Sequence, residues 1–273
     1  MSQVINSNIM SLNAQRNLAT SGSQLAQSLQ RLSSGMRINS AKDDAAGLAI
    51  STRFTAQIRG VATATRNAQD AVSLTQTAEG ALGSVTNNLQ RMRELAVQAS
   101  NGTNTDADLK ALDTEYQALL EEIGRVASQT QFAGQVLLNG DFENVTFQIG
   151  ANVGESIEIA ELADVTEEGL ELDGTTLTSF DDAQDAIEAL DAAIDTVNGA
   201  RAAVGATQNR FESVISNLMI TSENLTASRS RIMDADFAEE TARLTRAQVL
   251  QQAGVAMLSQ ANAVPQNVLS LLR

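Results

Sequence analysis

Cysteine and histidine are both absent from this chain of 273 residues. Their absence removes thiol nucleophiles, disulfides, Cys/His zinc sites and His-centred triads or general bases. A metalloprotease helix of the H-E-x-x-H kind is impossible. The lack of cysteine also suits a chain that crosses compartments unfolded. Tryptophan is missing too, and aromatic residues make up only 3% of a chain that is 43% hydrophobic. Ala, Leu, Val, Ile, Ser and Thr must do the packing, which suits long helices in close contact better than a thick globular core. The single proline, Pro265, points the same way, because proline breaks helices and punctuates loops.

Basic residues are missing from one long stretch. Residues 141–200 hold sixteen acids and no Lys or Arg, a local charge of −16 out of a total of −15. The flanking segments 1–60, 61–140 and 201–273 come to +4, −4 and +1. No basic cluster is present to neutralise phosphates, so no nucleic-acid partner is expected. An acidic block is ordinarily a solvated, self-repelling surface. No apolar run approaches the ~18–20 residues needed to span a bilayer, so no membrane partner is expected either. The start, Met1-Ser2-Gln3-Val4-Ile5-Asn6, lacks the basic and apolar regions of a secretory signal, which taken alone points to the cytoplasm.

Motifs that carry chemistry are equally scarce. No G-x-G-x-x-G or Walker sequence occurs, and no cofactor, metal or catalytic residue is expected. The carboxylates of Lys42-Asp43-Asp44-Ala45-Ala46-Gly47 are adjacent, and neighbours on a helix diverge by about 100°. They read as helix-start residues rather than as a chelate. Asn101-Gly102-Thr103, Asn144-Val145-Thr146 and Asn224-Leu225-Thr226 match the N-glycosylation pattern, a frequent chance match. Thr175, Thr176, Thr178 and Ser179 form a hydroxyl-rich stretch expected at the surface.

What the chain does have is heptad spacing. Leu250, Gly254, Met257, Ala261, Val264, Val268 and Leu271 follow an unbroken 4-3 alternation. At the front, Leu18, Leu25, Leu29 and Leu32 keep the same register, and Ile5, Ile9 and Leu12 form a shorter, offset set. Chain ends are usually frayed and polar. Apolar ends without an obvious core of their own point to burial against other copies. A longer register runs through Val61, Ala64, Ala68, Ala71, Thr75, Ala78, Leu82, Val85, Leu89, Met92, Ala96 and Ala99. It predicts a helix of over fifty residues from near Asp43, roughly 80 Å long, ended by Asn101-Gly102.

Thr105-x-x-Asp108 resembles a capping box and opens a helix with the stripe Leu109, Leu112, Tyr116, Leu119, Ile123 and Val126. After turns at Gly134 and Gly140 the period falls to two, at Val145, Phe147, Ile149 and again at Ile157, Ile159. This predicts a β-hairpin over about 145–160 with its loop at Gly150–Gly154. Residues 161–179 show no period. Helical spacing returns at Phe180, Ala183, Ile187, Leu190, Ile194 and Val197 and continues past Phe211, with Arg201, Gln208, Ser222 and Arg229 interrupting the seam. Pro265 predicts a kink or the first turn of a last segment. The expected fold is mainly α: an elongated antiparallel helical, coiled-coil rod with a small β-hairpin near the outer end.

Five stretches stand out: Ser11-Leu12-Asn13-Ala14-Gln15-Arg16, the run from Leu32-Ser33-Ser34-Gly35-Met36-Arg37 to Asp43-Asp44-Ala45-Ala46-Gly47-Leu48, Gln90-Arg91-Met92-Arg93-Glu94-Leu95-Ala96-Val97-Gln98, Arg231-Ile232-Met233-Asp234-Ala235-Asp236-Phe237, and Pro265-Gln266-Asn267-Val268-Leu269-Ser270-Leu271-Leu272. Together they resemble bacterial flagellin. The matching stretches span roughly 1–140 and 200–273, leaving the acidic middle without a family pattern. The resemblance implies a non-enzymatic filament subunit that leaves the cell through the flagellum's type III apparatus without a cleaved signal. It implies an inner tube from residues 1–44 and 234–273, and an outer helical layer from 45–233 with an acidic tip at 141–200. Inner-tube packing would rest on Leu18, Leu25, Leu29, Leu32, Leu250, Met257, Val264, Val268 and Leu271. Implied partners are other copies of the chain, the filament cap, hook-junction proteins, an export chaperone at the C-terminal tail, and the vertebrate Toll-like receptor for flagellin. The receptor's contact pattern carries over to Arg91, Leu95 and Glu115, with Arg91 and Leu95 one turn apart on one face. Competing readings are a hook–filament junction protein, a chemoreceptor-like helical bundle and, more remotely, an enzyme.

Overall fold

The computed structural model describes residues 7–159 and 162–270, with side chains up to residue 263. The elements are α1 (Ile9–Ser34), α2 (Ala45–Ala99), α3 (Asp106–Gln129), β1 (Gln131–Phe132), β2 (Gln135–Val136), β3 (Val145–Gln148), β4 (Ser156–Ile159), α4 (Phe180–Met233) and α5 (Phe237–Ser270). The fold is therefore mainly α, with two small antiparallel hairpins where one was expected. The chain forms two compact units, Gln57–Glu223 and the combination of Met1–Ala56 with Asn224–Arg273. Their boundaries fall inside α2 and α4 rather than in loops.

The central unit (57–223) owns a conventional core. All the register positions from Val61 to Ala99 are buried, including Thr75, whose hydroxyl donates to the Val72 carbonyl at 2.8 Å. Leu74, Thr86 and Leu95 widen this buried strip into an arc that meets two neighbouring helices. On α3 the buried line is Tyr116, Leu120, Ile123 and Ala127, with the expected Leu109, Leu112, Leu119 and Val126 flanking it. On α4 it is Ala183, Ala186, Leu190, Ala193, Val197, Val204 and Phe211. Ile187 and Ile194 sit at its margin, and Phe180 opens the helix half-exposed instead of packing. The alanines Ala186 and Ala193 displace the isoleucines because small side chains let the helices approach closely.

Local signals end these elements as their chemistry dictates. The α3 capping box is complete: Asp108 N–H donates to Thr105 Oγ1 at 3.3 Å, and Thr105 N–H donates to Asp108 Oδ2 at 3.0 Å. The Thr105 hydroxyl also donates to Asp108 Oδ2 at 2.6 Å, and it and the Thr105 N–H hold the Asp108 carboxyl below the usual carboxylate range. The β1–β2 turn places Ala133 and Gly134 at φ 50° and 86°, the twist-compatible geometry of a two-residue hairpin. In the second hairpin Val145 faces Ile159 and Phe147 faces Ile157, so the period-two residues share one face. Phe147 meets Phe211 of α4 edge-on, with ring centroids 5.8 Å apart.

The acidic middle is more than a solvated surface. Phe142, Leu162, Val165, Leu170, Leu172 and Leu177 tuck beneath its carboxylates into the core. Three α3 side chains staple this segment. Asp113 accepts from Leu177 N–H at 2.8 Å, Gln117 donates to the Thr175 carbonyl at 2.8 Å, and the Tyr116 hydroxyl meets Thr175 Oγ1 at 2.8 Å. Burial pushes the Tyr116 phenol above its usual pKa. Thr175 is thus engaged and only partly exposed, whereas Thr178 and Ser179 lie at the surface and bond Asp182.

Candidate assembly surfaces

The terminal unit is built on an antiparallel pairing of α1 with α5. Asn8 Nδ2 donates to the Ala261 carbonyl at 2.8 Å, a Cβ on Gly254 would lie 3.1 Å from Leu18 Cδ1, and Arg31 approaches Glu240. These pairs sum to nearly the same number, as an antiparallel register requires. The seam is made of small residues. Ser11, Ser21 and Ser28 of α1 and Ala247 and Ala261 of α5 are buried, while Leu18, Leu25 and Leu32 are partly buried beside them. Ser21 donates its hydroxyl to the Asn17 carbonyl at 2.9 Å, so it enters the seam without an unmet donor.

The seam uses only part of the expected stripe. On α5 its line runs through Glu240, Leu244, Ala247, Gly254, Leu258 and Ala261, sharing Gly254 and Ala261 with the predicted register. Leu250 and Met257 lie on the flank at 47% and 62% exposure, and Leu29 of α1 is 50% exposed. Val264 and Val268 belong to α5, but their side chains lie outside the described residues, as does Leu271 entirely. With Met10, Ala14, Ala253 and Gly254, the flanking pair Leu250 and Met257 lines an open groove of about 570 Å³ along the helix pair. Ile9, Leu12, Val249 and Val255 add further exposed apolar surface, each more than half exposed. Among the described residues nothing covers these side chains, and large apolar patches of this kind mark interaction surfaces.

Toward the Arg31 end of the pair the groove turns polar. Glu240 is 5% exposed, with Arg31 at 3.9 Å and Arg243 at 3.7 Å, and Arg31 Nε is buried without a hydrogen-bond partner. Below it, the Leu32–Gly47 run forms a junction that the residue pattern did not reveal. Gly35 ends α1 at φ 69° and its carbonyl accepts from Ala235 N–H at 2.9 Å. Arg37 N–H donates to the Met233 carbonyl, and its guanidinium donates to the Ile232 carbonyl at 2.7 Å, capping the end of α4 with positive charge. Asp43 accepts from Asn39 and Ser40 N–H groups at 3.1 and 2.9 Å, which holds its carboxyl low. Asp44 accepts from Gly47 N–H at 2.8 Å, capping α2. A Cβ at Gly47 would sit 2.5 Å from that carboxylate, which accounts for the glycine. Asp44 caps the helix as expected, whereas Asp43 closes the turn before it.

The three residues carried over for receptor recognition lie in the central unit and do not form one exposed face. The Arg91 guanidinium donates to Glu115 Oε1 at 2.8 Å and to Glu94 at 3.0 Å, about half exposed, and these bonds hold it above its ordinary pKa. Leu95 is different: it is 1% exposed and belongs to the core. Four residues turn a helix by about 400°, so Leu95 lies some 40° from Arg91, enough to cross from the rim into the buried arc. The expectation that Arg91 and Leu95 share an exposed face fails at Leu95, and Arg91 pairs instead with Glu115 of α3.

Comparison with known proteins accords with this architecture. Residues 5–143 match the bacterial flagellin N-terminal helical region, and residues 187–272 match the bacterial flagellin C-terminal helical region. A flagellin of Halalkalibacterium halodurans is 50% identical over 99% of this chain and 100% of its own length. A flagellin of Bacillus subtilis is 43% identical over 98% of this chain and 99% of its own. The crystal structure of Bacillus cereus flagellin superposes with a TM-score of 0.51 at 35% identity, covering 56% of this chain and 88% of that one. A putative flagellar hook-associated protein from Vibrio parahaemolyticus shares the fold at 15% identity, with a TM-score of 0.61 over 70% of this chain and 100% of that one. Among the described residues no helix is long and apolar enough to cross a membrane. With both end regions matched and the relatives aligned along nearly their whole length, the chain belongs to the bacterial flagellin family and is a structural subunit of the flagellar filament.

Proposed function

We propose that the α1–α5 pair is the surface on which copies of this chain meet in the inner layer of the filament, mapped onto residues 1–44 and 234–273, with 45–233 outside it. The observation that carries this is the exposed apolar flank of the pair, including Leu29, Leu250 and Met257. Burying one such side chain is worth about 1.5–3 kcal/mol, so several per copy outweigh the few kcal/mol of ordering cost. Assembly by such a flank is heterologous: one patch meets a different patch on the next copy, and the rotation does not close. Val264, Val268 and Leu271 continue the stripe in sequence. The test is a chain ended after Pro265, mixed with seeds of the full chain and sedimented. It should stay in the supernatant with its helical signal retained, and efficient growth would refute the assignment.

The subunit's role is mechanical rather than catalytic. It reaches the outside through the flagellar export apparatus, escorted by a chaperone on the C-terminal tail, and meets the cap and the hook-junction proteins where the filament ends. A finer role, recognition by the vertebrate receptor for flagellin, rests on the exposed Arg91–Glu115 pair, with Leu95 supporting the helix from beneath. An Arg91→Ala protein that signals as strongly as the parent would refute that role.

A further inference from the structure

The hairpin loop of the central unit carries an apolar side chain with no neighbours. Val153 is 105% exposed, far more than any other large apolar residue described. Lone exposed apolar residues are ordinary, but this one stands on a loop built to hold it still. Glu155 accepts from the Asn152 backbone N–H and from Asn152 Nδ2, both at 2.9 Å, which keeps its carboxyl low. Gln148 Nε2 donates to the carbonyls of Gly150 and Asn152 at 3.0 and 2.7 Å. Gly154 sits at φ 87°, and a Cβ on Gly150 would fall 2.1 Å from the Glu155 carboxylate. A loop ordered in advance loses little entropy when it docks.

The same unit has an open cavity of about 500 Å³ walled by Leu162, Ala163, Thr196, Gly199, Ala200 and Ala203, with Thr75 across from them. Two of its three threonines behave as apolar residues, Thr207 being the exception. Thr75 and Thr196 give their hydroxyls to their own helices, at the carbonyls of Val72 (2.8 Å) and Ala192 (3.0 Å). A Cβ added at Gly199 would meet nothing within 4 Å. Asp164, at the margin, already accepts from Thr166 N–H at 2.9 Å. The wall is mostly apolar, with the Thr207 hydroxyl and Asp164 as its polar members, which suits a small aliphatic side chain.

Within one copy the two features cannot meet. Ala151 beside Val153 lies against Gly60 of α2, whereas the cavity lies against Thr75. Fifteen helical residues separate those levels by about 22 Å. We infer that Val153 of one copy seats in the Thr196–Ala203 cavity of a second copy that lies alongside it, staggered by about that distance along the helices. Two different patches are then joined by a translation that never closes, as a filament requires. The inference rests on the filament reading and adds a contact in the central unit, away from the terminal helices.

The test uses the full chain, whose lack of cysteine gives a clean background. In a chain carrying both Val153→Cys and Ala203→Cys, an internal disulfide is excluded, because bridged Cα atoms lie within about 7 Å. Filaments of this variant, oxidised with copper–phenanthroline, should give a ladder of linked copies on a denaturing gel, and unpolymerised monomer should not. Intact filaments without a ladder would overturn the contact. In parallel, Val153→Asp should raise the critical concentration about tenfold or more with monomer helicity and melting unchanged, while Val153→Ile should stay near the parent. Wild-type growth by Val153→Asp would also overturn it. Failure of the parent chain to elongate its own seeds would instead overturn the filament reading, and this contact with it.

Discussion

The two units solve the problem of burying apolar surface in opposite ways. The central unit encloses Leu82, Leu89, Met92, Tyr116, Leu190 and Phe211 completely. The terminal unit buries mainly serine and alanine at its α1–α5 seam and leaves Ile9, Met10, Leu12, Leu250 and Met257 outside. Small seams allow close approach but remove little apolar area from water. Net stability is a small surplus over conformational entropy. A unit of this kind gains its surplus only when another surface covers it. Under the proposed assembly, stability as a monomer and competence to assemble are carried by different residues.

The largest expected effect separates those two properties directly. Leu89→Ala, at 0% exposure, should destabilise the central unit by about 2–5 kcal/mol, read as a fall in the thermal midpoint of the monomer. Met257→Ala, at 62% exposure, should move the same midpoint within about 0.5 kcal/mol. Its effect should appear as a raised critical concentration, about tenfold for each 1.4 kcal/mol of burial lost on assembly. Equal effects of the two substitutions on monomer melting would end the contrast between the units.

How much of this could be read from residues follows the same line. The central stripe of α2 was legible from Val61 to Ala99, because a helix packed inside its own chain repeats its core every seven residues. The hairpin was legible from period two. On α5 the register was visible but its facing was not, since Leu250 and Met257 outrank Ala247 in hydrophobicity yet lie outside the seam. An exposed stripe and a buried one have the same spacing. The serines of α1 carried the missing information: Ala14, Ser21 and Ser28 alternate with Leu18, Leu25 and Leu32 and complete the heptad. The burial of Leu170, Leu172 and Leu177 was hidden because turns have no period, and Leu95 because an arc meeting two helices is wider than one stripe.

A middle-sized effect tests whether the central unit also depends on polar register. Arg201, an interruption in the α4 seam, donates to Glu79 Oε1 of α2 at 3.0 and 2.8 Å, leaving Glu79 Oε2 buried and unpaired. Both side chains keep about a third of their exposure, so the pair is solvent-screened. Arg201→Ala should cost about 1 kcal/mol, and Arg201→Ala with Glu79→Ala less than the sum of the two. Strict additivity would show that the pair fixes nothing.

The smallest effect concerns acid. The carboxyls of Asp108, Glu122, Glu155, Asp182 and Asp191 in the central unit are held below their ordinary range, by Thr105, Arg125, Asn152, Thr178 and Arg93 respectively. In the terminal unit Asp43 is held low by the backbone of Ser40 and Asn39. A group with a depressed folded pKa binds its proton more readily when unfolded. Its contribution is present above the unfolded value, about 4, and is lost as pH falls through the folded value. Melting of the monomer should therefore show no pH dependence from these groups between pH 7 and 5, where their contribution is fully present, and decline below about pH 4. Thr105→Ala removes one such bond and the α3 cap, at a cost of about 1 kcal/mol at neutral pH. Because the Asp108 shift depends on that threonine, the variant should lose less than the parent on acidification. A parallel loss in both would mean that the cap does not set the Asp108 titration.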